Sequence, residues 1–142
     1  YDLKPEMSAD KVTESFIKEI QNKKPDFICL NYANPDMVGH TGKFKAVSKA
    51  IKKIDGCVKK IVTESIKQDY TLIIIADHGN AELMIKNDGT PHTAHTTNKV
   101  PCFIINSSYE FIKTGILSDV APTILKIMNI PAPKEMKGNS LV

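Results

Sequence analysis

Three polar segments of this 142-residue chain hold all four of its histidines. The first segment carries Asp36 and His40, the second carries Asp77 and His78, and the third carries the other two histidines between residues 92 and 95. Aspartate oxygen and imidazole nitrogen are ligands that Mn²⁺, Zn²⁺ and Mg²⁺ take in proteins. The combination therefore predicts a mixed aspartate–histidine metal site.

Each segment taken alone has a simpler interpretation. Asp36 follows Pro35 and suits a turn or a helix cap, and Asp77 with the residues after it suits a turn that closes a strand. His92 and His95 suit an exposed loop. Together the segments hold more candidate ligands than one closed site requires, so the spacing leaves open whether they bind one metal ion or two. These candidates are Asp36, His40, Asp77, His78 and His95.

A metal site of this composition suits the hydrolysis or transfer of phosphate. Bound metal ions neutralise phosphoryl oxygens and lower the pKa of a bound hydroxyl, and two ions about 3.5–4 Å apart can hold the attacking and leaving oxygens together. Thiolate is absent from the three segments, because Cys29, Cys57 and Cys102 are far apart and form no C-x-x-C pair. A structural zinc knot and a cysteine nucleophile are therefore disfavoured, and free thiols in a reducing compartment are expected.

Apolar residues at helical spacing predict three helices that would help to position these segments. The first helix, capped by Ser8, spans about residues 8–22. The second is long, at about residues 43–68, and has Gly56 in its interior. The third runs over about residues 118–128.

Short apolar runs bounded by turn residues predict strands at residues 26–31, 71–76 and 100–105. The first two strands flank the long helix and form a βαβ unit, with a polar loop over residues 32–42. The expected fold class is therefore α/β, with a mostly parallel sheet and flanking helices. For the third polar segment to reach the other two, residues 79–94 must extend away from the strand end and fold back to it, or the third strand must be antiparallel.

The composition disfavours several classes of function. All nineteen cationic side chains are lysine, and arginine and tryptophan are absent, so nucleic-acid binding is disfavoured despite the net charge of +3. The longest apolar run is far below the roughly 20 residues that a membrane span needs. Because no linker or repeat divides the chain, residues 1–142 are expected to form a single domain. Its start at Tyr1 is compatible with a piece of a longer protein.

Three motifs carry a resemblance to a known family. They are Asn-Pro-Asp-Met-Val-Gly-His at residues 34–40, Ala-Asp-His-Gly-Asn-Ala-Glu at residues 76–82 and His-Thr-Ala-His-Thr-Thr at residues 92–97. They resemble motifs of the cofactor-independent (2,3-bisphosphoglycerate-independent) phosphoglycerate mutases, a branch of the alkaline phosphatase superfamily. Residues 1–8 and 117–123 are similar to that family too, so the resemblance covers essentially the whole chain.

The resemblance implies an alkaline phosphatase-like domain, of which this chain would be an incomplete, C-terminal part. It implies two metal ions, usually Mn²⁺, with Mg²⁺, Co²⁺ or Zn²⁺ as alternatives. The ligands it assigns are Asp36, His40 and His95 to one ion, and Asp77 and His78 to the other. His92 matches the motif but is not among the family's ligands.

The resemblance also implies a reaction. In that family a serine takes the phosphoryl group of 3-phosphoglycerate and returns it to the other hydroxyl, which gives 2-phosphoglycerate. None of the serines here stands in the nucleophile's context, and the substrate clamps of the family lie outside the matching part. This chain alone is therefore expected to be inactive. The full-length enzyme is expected to be a monomeric, cytoplasmic enzyme of glycolysis that binds phosphoglycerate and neither nucleic acid nor membrane.

Two other functions remain as alternatives. One is a metal-dependent phosphatase or phosphodiesterase of the same superfamily, which would need its own nucleophile beside Asp77. The other is a non-catalytic metal-binding domain whose lysine-rich helix, at residues 43–68, contacts an acidic partner.

Overall fold

Helices make up most of the regular structure, as the helical spacing of the apolar residues predicts. The computed structural model describes residues 1–142. Its helices are α1 (Ala9–Asn22), α2 (Asn34–Gly39), α3 (Phe44–Lys67) and α4 (Val120–Ile127), the last preceded by a 3₁₀ turn at Leu117–Asp119. The three predicted helices are confirmed, although the Ser8 side chain makes no capping hydrogen bond to α1.

The long helix α3 is the element on which α1 and α2 pack. The core between α2 and α3 consists of buried apolar side chains, namely Val38, Ala46, Val47, Ala50 and Met84. Val38 is fully buried and anchors α2 to this core. Asp36 and His40 lie two residues before and after Val38, so they occupy the opposite side of the short helix.

The sheet has two strands, β1 (Leu72–Ile75) and β2 (Cys102–Ile105), and they are antiparallel. The mostly parallel sheet expected from the sequence is not present in this chain, and the antiparallel alternative for the last strand is the one observed. Ile75 pairs with Cys102, so the segment between the strands leaves and returns at the same end of the sheet. That end therefore gathers the polar residues of the segment.

The strand predicted at residues 26–31 does not form, so the βαβ unit is also wrong. The segment alternates in exposure as a strand does, with Phe27 and Cys29 exposed and Ile28 and Leu30 partly buried. No other segment pairs with it, however, and a strand is stabilised by hydrogen bonds to a neighbour. An apolar run with strand-like spacing therefore remains an unpaired stretch.

The polar loop predicted at residues 32–42 contains the short helix α2. Pro35 lies in the first turn of α2, where its fixed φ suits a helix and its missing N–H costs no hydrogen bond. Six residues are too few to show a helical period in the sequence, which explains why the helix was not predicted.

Residues 79–96 form an excursion that we call the arm. Its base is closed by an antiparallel bridge between Gly79 and Thr96, and its outer part by a bridge between Ile85 and Pro91. The chain thus also extends away and folds back, which is the other of the two expected ways for the third polar segment to reach the first two. This path returns the third polar segment to the end of β1.

Candidate metal centre

Helix α2 contributes the first two candidate ligands. Asp36 and His40 are four residues apart, a spacing that brings side chains to one face of a helix. The distance from His40 Nε2 to Asp36 Oδ1 is 3.1 Å. Because α2 is anchored through Val38 on its other side, this pair is presented toward the end of β1.

Two further candidates follow β1 directly. His78 is partly buried, and its Nε2 lies 3.9 Å from Asp36 Oδ1 and 3.7 Å from Asp77 Oδ1. The Asp77 side chain is 84% exposed. Asp77 therefore lies at the open margin of the cluster, while His78 lies inside it.

The base of the arm supplies His95. Its Nε2 lies 3.0 Å from Asp36 Oδ1 and 3.2 Å from His40 Nε2. With the 3.1 Å distance between His40 and Asp36, these atoms form a nearly equilateral triangle. Donor atoms that share a metal ion through bonds of about 2.0–2.2 Å are about 3 Å apart, so this triangle matches one face of a coordination shell.

Asp36 is the central charge of the cluster, since its Oδ1 is within 4 Å of three imidazoles. Partial burial by itself raises the pKa of this carboxyl group. A hydrogen bond from Asn80 and the neighbouring histidines outweigh that effect and hold the pKa below its usual value. The group is thus ionised at neutral pH, as a metal ligand must be.

A backbone carbonyl orients the ring of His40. His40 Nδ1 lies 2.7 Å from the carbonyl oxygen of Thr93, which can only accept a hydrogen bond. Nδ1 therefore carries the proton, and in the neutral ring the lone pair is on Nε2, toward Asp36 and His95. A histidine held in this way presents one nitrogen ready for a metal ion.

The structure thus brings three of the predicted residues, His40, His78 and His95, to within 4 Å of Asp36. Asp77 adjoins this group through its contact with His78. The donor set of one carboxylate and two or three imidazoles, without thiolate, fits Mn²⁺, Zn²⁺ or Co²⁺. The ligand atoms of Asp36, His78 and His95 all lie within 4.8 Å of one another. His92 is outside the cluster: its Nδ1 is buried without a partner, and its backbone N–H donates to Met84.

Sequence reasoning missed the supporting roles of residues in and next to the cluster. Asn80 donates a hydrogen bond to the Asp36 carboxylate, and Glu82 accepts hydrogen bonds from Thr96 and Asn98. Asn80 and Glu82 belong to the second motif, directly after His78. Their place in that motif was the available signal, but an amide and an additional carboxylate are not distinctive in type.

Comparison with known proteins places the chain in a family. A profile described as the metalloenzyme superfamily matches residues 1–132. The chain belongs to this superfamily. Membership agrees with the donor set around Asp36, which is of a kind that binds metal.

Within the metalloenzyme superfamily, the chain is similar to phosphoglycerate mutases. The chain is 53% identical over 142 residues to the 2,3-bisphosphoglycerate-independent phosphoglycerate mutase of Flavobacterium psychrophilum, and 50% identical over 143 residues to that of Bacteroides thetaiotaomicron. It spans 28% of the length of each of these relatives. The resemblance drawn from the three motifs is confirmed.

The chain has the same fold as the matching part of a solved phosphoglycerate mutase structure. The Leishmania mexicana phosphoglycerate mutase at low cobalt concentration superposes with a TM-score of 0.87 and 26% identity. The match covers 99% of this chain and 29% of that one. The α/β class is therefore confirmed. None of the helices combines the length with the apolar character that a membrane-spanning helix needs.

Proposed function

We propose that the protein to which this chain belongs interconverts 3-phosphoglycerate and 2-phosphoglycerate through a phosphoserine, and that this chain supplies most of the metal ligands. The observation that carries the proposal is the triangle formed by Asp36 Oδ1, His40 Nε2 and His95 Nε2, with sides of 3.0–3.2 Å. The similarity to mutases over the whole chain supports this choice of reaction.

In this proposal Asp36, His40 and His95 hold one divalent cation, and Asp77 and His78 help to hold a second. Mn²⁺ is the proposed ion, with Mg²⁺, Co²⁺ or Zn²⁺ as alternatives. When bound, such ions neutralise phosphoryl oxygens and promote ionisation of the attacking hydroxyl. The exposed position of Asp77 supports a role at the margin of the site, where a group from the rest of the protein can approach.

The residues of this chain have defined tasks in the proposed site. Asp36 supplies the negative charge at its centre, and its lowered pKa keeps that charge present throughout the neutral range. The Thr93 carbonyl holds His40 in the tautomer that offers Nε2. His95 closes the site from the arm, so the arm must be folded back before the ligand set is complete.

The remaining parts of the proposal concern the whole protein. Its nucleophilic serine and phosphate clamps come from outside the segment that matches here, so the isolated chain is inactive. We propose a monomeric enzyme of glycolysis in the cytoplasm, where free thiols such as those of the three cysteines persist. We also propose that the sheet becomes mostly parallel and alkaline phosphatase-like in the complete domain.

The metal site is tested by Mn²⁺ titration of the chain, followed by electron paramagnetic resonance, with circular dichroism to verify folding. We expect saturable binding that His95→Ala abolishes. His92→Ala is the matched control, because it removes a histidine from the same segment but outside the cluster, and it should bind as the wild type does. Equal binding by the wild type and His95→Ala would refute the ligand assignment.

The reaction is tested by ³¹P NMR of 3-phosphoglycerate with Mn²⁺. The chain alone should leave the spectrum unchanged, and the full-length protein should produce the 2-phosphoglycerate signal. Release of inorganic phosphate by the full-length protein without 2-phosphoglycerate would favour the phosphatase alternative. Turnover by the chain alone would contradict the claim that the nucleophile lies outside it.

A further inference from the structure

Asn80 makes a direct contact with the central carboxylate of the site. Its side chain is buried, and Nδ2 donates a hydrogen bond of 2.8 Å to Asp36 Oδ1 and a longer one of 3.4 Å to the Asp36 carbonyl oxygen. The amide orientation follows from charge, because the opposite flip would place its oxygen against the carboxylate. Asn80 therefore acts as a fixed donor to a candidate ligand.

Glu82 connects Asn80 to the base of the arm through hydrogen bonds. Its Oε2 accepts a 2.6 Å hydrogen bond from the backbone N–H of Asn80. Its Oε1 accepts hydrogen bonds from the Thr96 hydroxyl and from Asn98 Nδ2. These bonds, that from Thr96 foremost, hold the pKa of the Glu82 carboxyl group below its usual value. One ionised carboxylate thus links the segment after β1 to the residue next to His95.

Two glycines lie directly against this network, in which Asn80 is buried and Glu82 is exposed. A methyl group on Gly39 would overlap the Asn80 amide, with its Cγ at 2.8 Å, and one on Gly79 would overlap Thr96 and the Glu82 carboxylate, with its Cδ at 2.9 Å. The backbone of α2 and the backbone at the base of the arm therefore lie directly against the polar groups. The buried Asn80 side chain therefore has little freedom to adopt other positions, and Glu82 is held mainly by its hydrogen bonds.

We propose that Asn80 and Glu82 are positioning residues of the metal centre. Asn80 fixes the orientation of the Asp36 carboxylate, and Glu82 fixes the distance between that carboxylate and His95 by joining the two loops. This inference rests on the metal site proposed above. Groups that orient metal ligands in this way affect metal affinity by about 10–100-fold when they are removed.

The first test is the Mn²⁺ dissociation constant of single variants. Asn80→Ala and Glu82→Gln should each weaken binding by about 10–100-fold and alter the visible spectrum of the Co²⁺ complex. Asn87→Ala and Glu135→Gln are matched controls, because they change exposed side chains of the same types, and they should bind as the wild type does. Wild-type affinity and spectrum in Asn80→Ala and Glu82→Gln would overturn the proposal.

The second test needs no metal. The Thr96 N–H donates a 2.9 Å hydrogen bond to the Gly79 carbonyl, so its exchange with solvent reports closure of the arm. Glu82→Gln should speed this exchange by at least about tenfold in the metal-free chain, and Glu135→Gln should not change it. Unchanged exchange would overturn the linking role of Glu82. If the wild type bound no Mn²⁺, the metal function would fail, and the exchange rates would still decide this role.

A third variant covers the case in which Glu82→Gln does not fold. Thr96→Val removes the hydroxyl that donates to Glu82 and accepts a 3.3 Å hydrogen bond from the Asn98 N–H, and it keeps the approximate size and shape of the side chain. It should reproduce the faster exchange at residue 96 and a part of the loss of Mn²⁺ affinity. A folded Thr96→Val variant with wild-type exchange and affinity would also overturn the proposal.

Discussion

The imidazole rings of His78 and His95 stack on one another, with centroids 3.7 Å apart and an angle of 20° between the planes. The two rings come from different segments, one directly after β1 and one from the base of the arm. Each therefore limits the movement of the other. Because the proposal assigns the two histidines to different ions, the stack also links the two halves of the site.

Substitution of the two stacked histidines should have unequal effects. His78→Ala should remove binding of the second ion, because His78 is one of its proposed ligands. It should weaken binding of the first ion by only about tenfold, because it removes support for His95 but leaves the triangle around Asp36 intact. His95→Ala should abolish binding, because it removes one corner of the triangle. Isothermal titration of both variants measures the difference. An equal loss in the two variants would contradict the assignment to different ions.

Gly39→Ala should reduce both stability and metal affinity. Its methyl group would overlap the Asn80 amide, and Gly39 is buried at the end of α2, so relief requires a shift of the helix or of Asn80. Overpacking of this kind costs about 1–3 kcal/mol in the free energy of unfolding. Urea denaturation measures that cost, and a Mn²⁺ titration measures the displacement of Asp36. A variant with wild-type stability would show that the contact is easily relaxed.

Gly56→Ala should have the opposite effect on stability. Gly56 lies in the interior of α3, and apart from the adjacent backbone of the helix nothing lies within 4 Å of the position that a methyl group would occupy. Alanine restricts the unfolded chain and favours the helix, which should stabilise the fold by about 0.5–1 kcal/mol. The same urea denaturation provides the measurement, and Mn²⁺ affinity should not change. Destabilisation would mean that α3 is strained at this residue.

Asp119→Asn should lower the melting temperature in a pH-dependent way. The Asp119 carboxylate accepts backbone hydrogen bonds from Ile116 (2.9 Å) and Asn139 (2.8 Å), which hold its pKa below the usual 3.8. Because the folded-state pKa is the lower one, this stabilisation is present above pH 3.8 and is lost as the pH falls through the folded-state value.

The expected result is a lower melting temperature for Asp119→Asn at neutral pH and a difference from the wild type that shrinks as the pH falls below 3.8. Thermal unfolding is followed by circular dichroism at about ten pH values between roughly pH 2 and 7, for the variant and for the wild type. The melting temperature is then plotted against pH for each protein. Asp55→Asn makes the same charge change at an exposed position of α3 and should leave the melting temperature unchanged. A constant difference across the pH range would exclude the ionised carboxylate as the cause.

The helices could be predicted because the apolar spacing that defines a helix lies within a short stretch of the sequence. α3 spans Phe44–Lys67, within one residue of the predicted bounds at each end, since its apolar stripe and its lysines repeat over many turns. β1 lies within the predicted run at residues 71–76. The prediction of a strand at residues 26–31 was wrong because strand pairing depends on a distant partner, which the local sequence does not specify.

The candidate site was predicted by residue type more than by geometry. Histidine and aspartate are recognisable ligands, so their types and their positions next to predicted strands pointed to five candidates, whose binding of metal stays a prediction. The Thr93 carbonyl and the Asn80 amide were not found, because their roles depend on the contacts that the arm and α2 create. Such supporting groups become visible only when the segments are placed in space.

The arm has a further consequence for experiments on this protein. Its tip, at residues 87–90, is exposed and reverses at Gly89, whose φ of 81° is readily adopted only by glycine. The bridges at Gly79–Thr96 and Ile85–Pro91 separate this tip from the base of the arm. A short foreign peptide inserted after Asn87 would therefore extend into solvent without altering the path to His95. The tip is thus a suitable place for a fluorophore or an affinity tag.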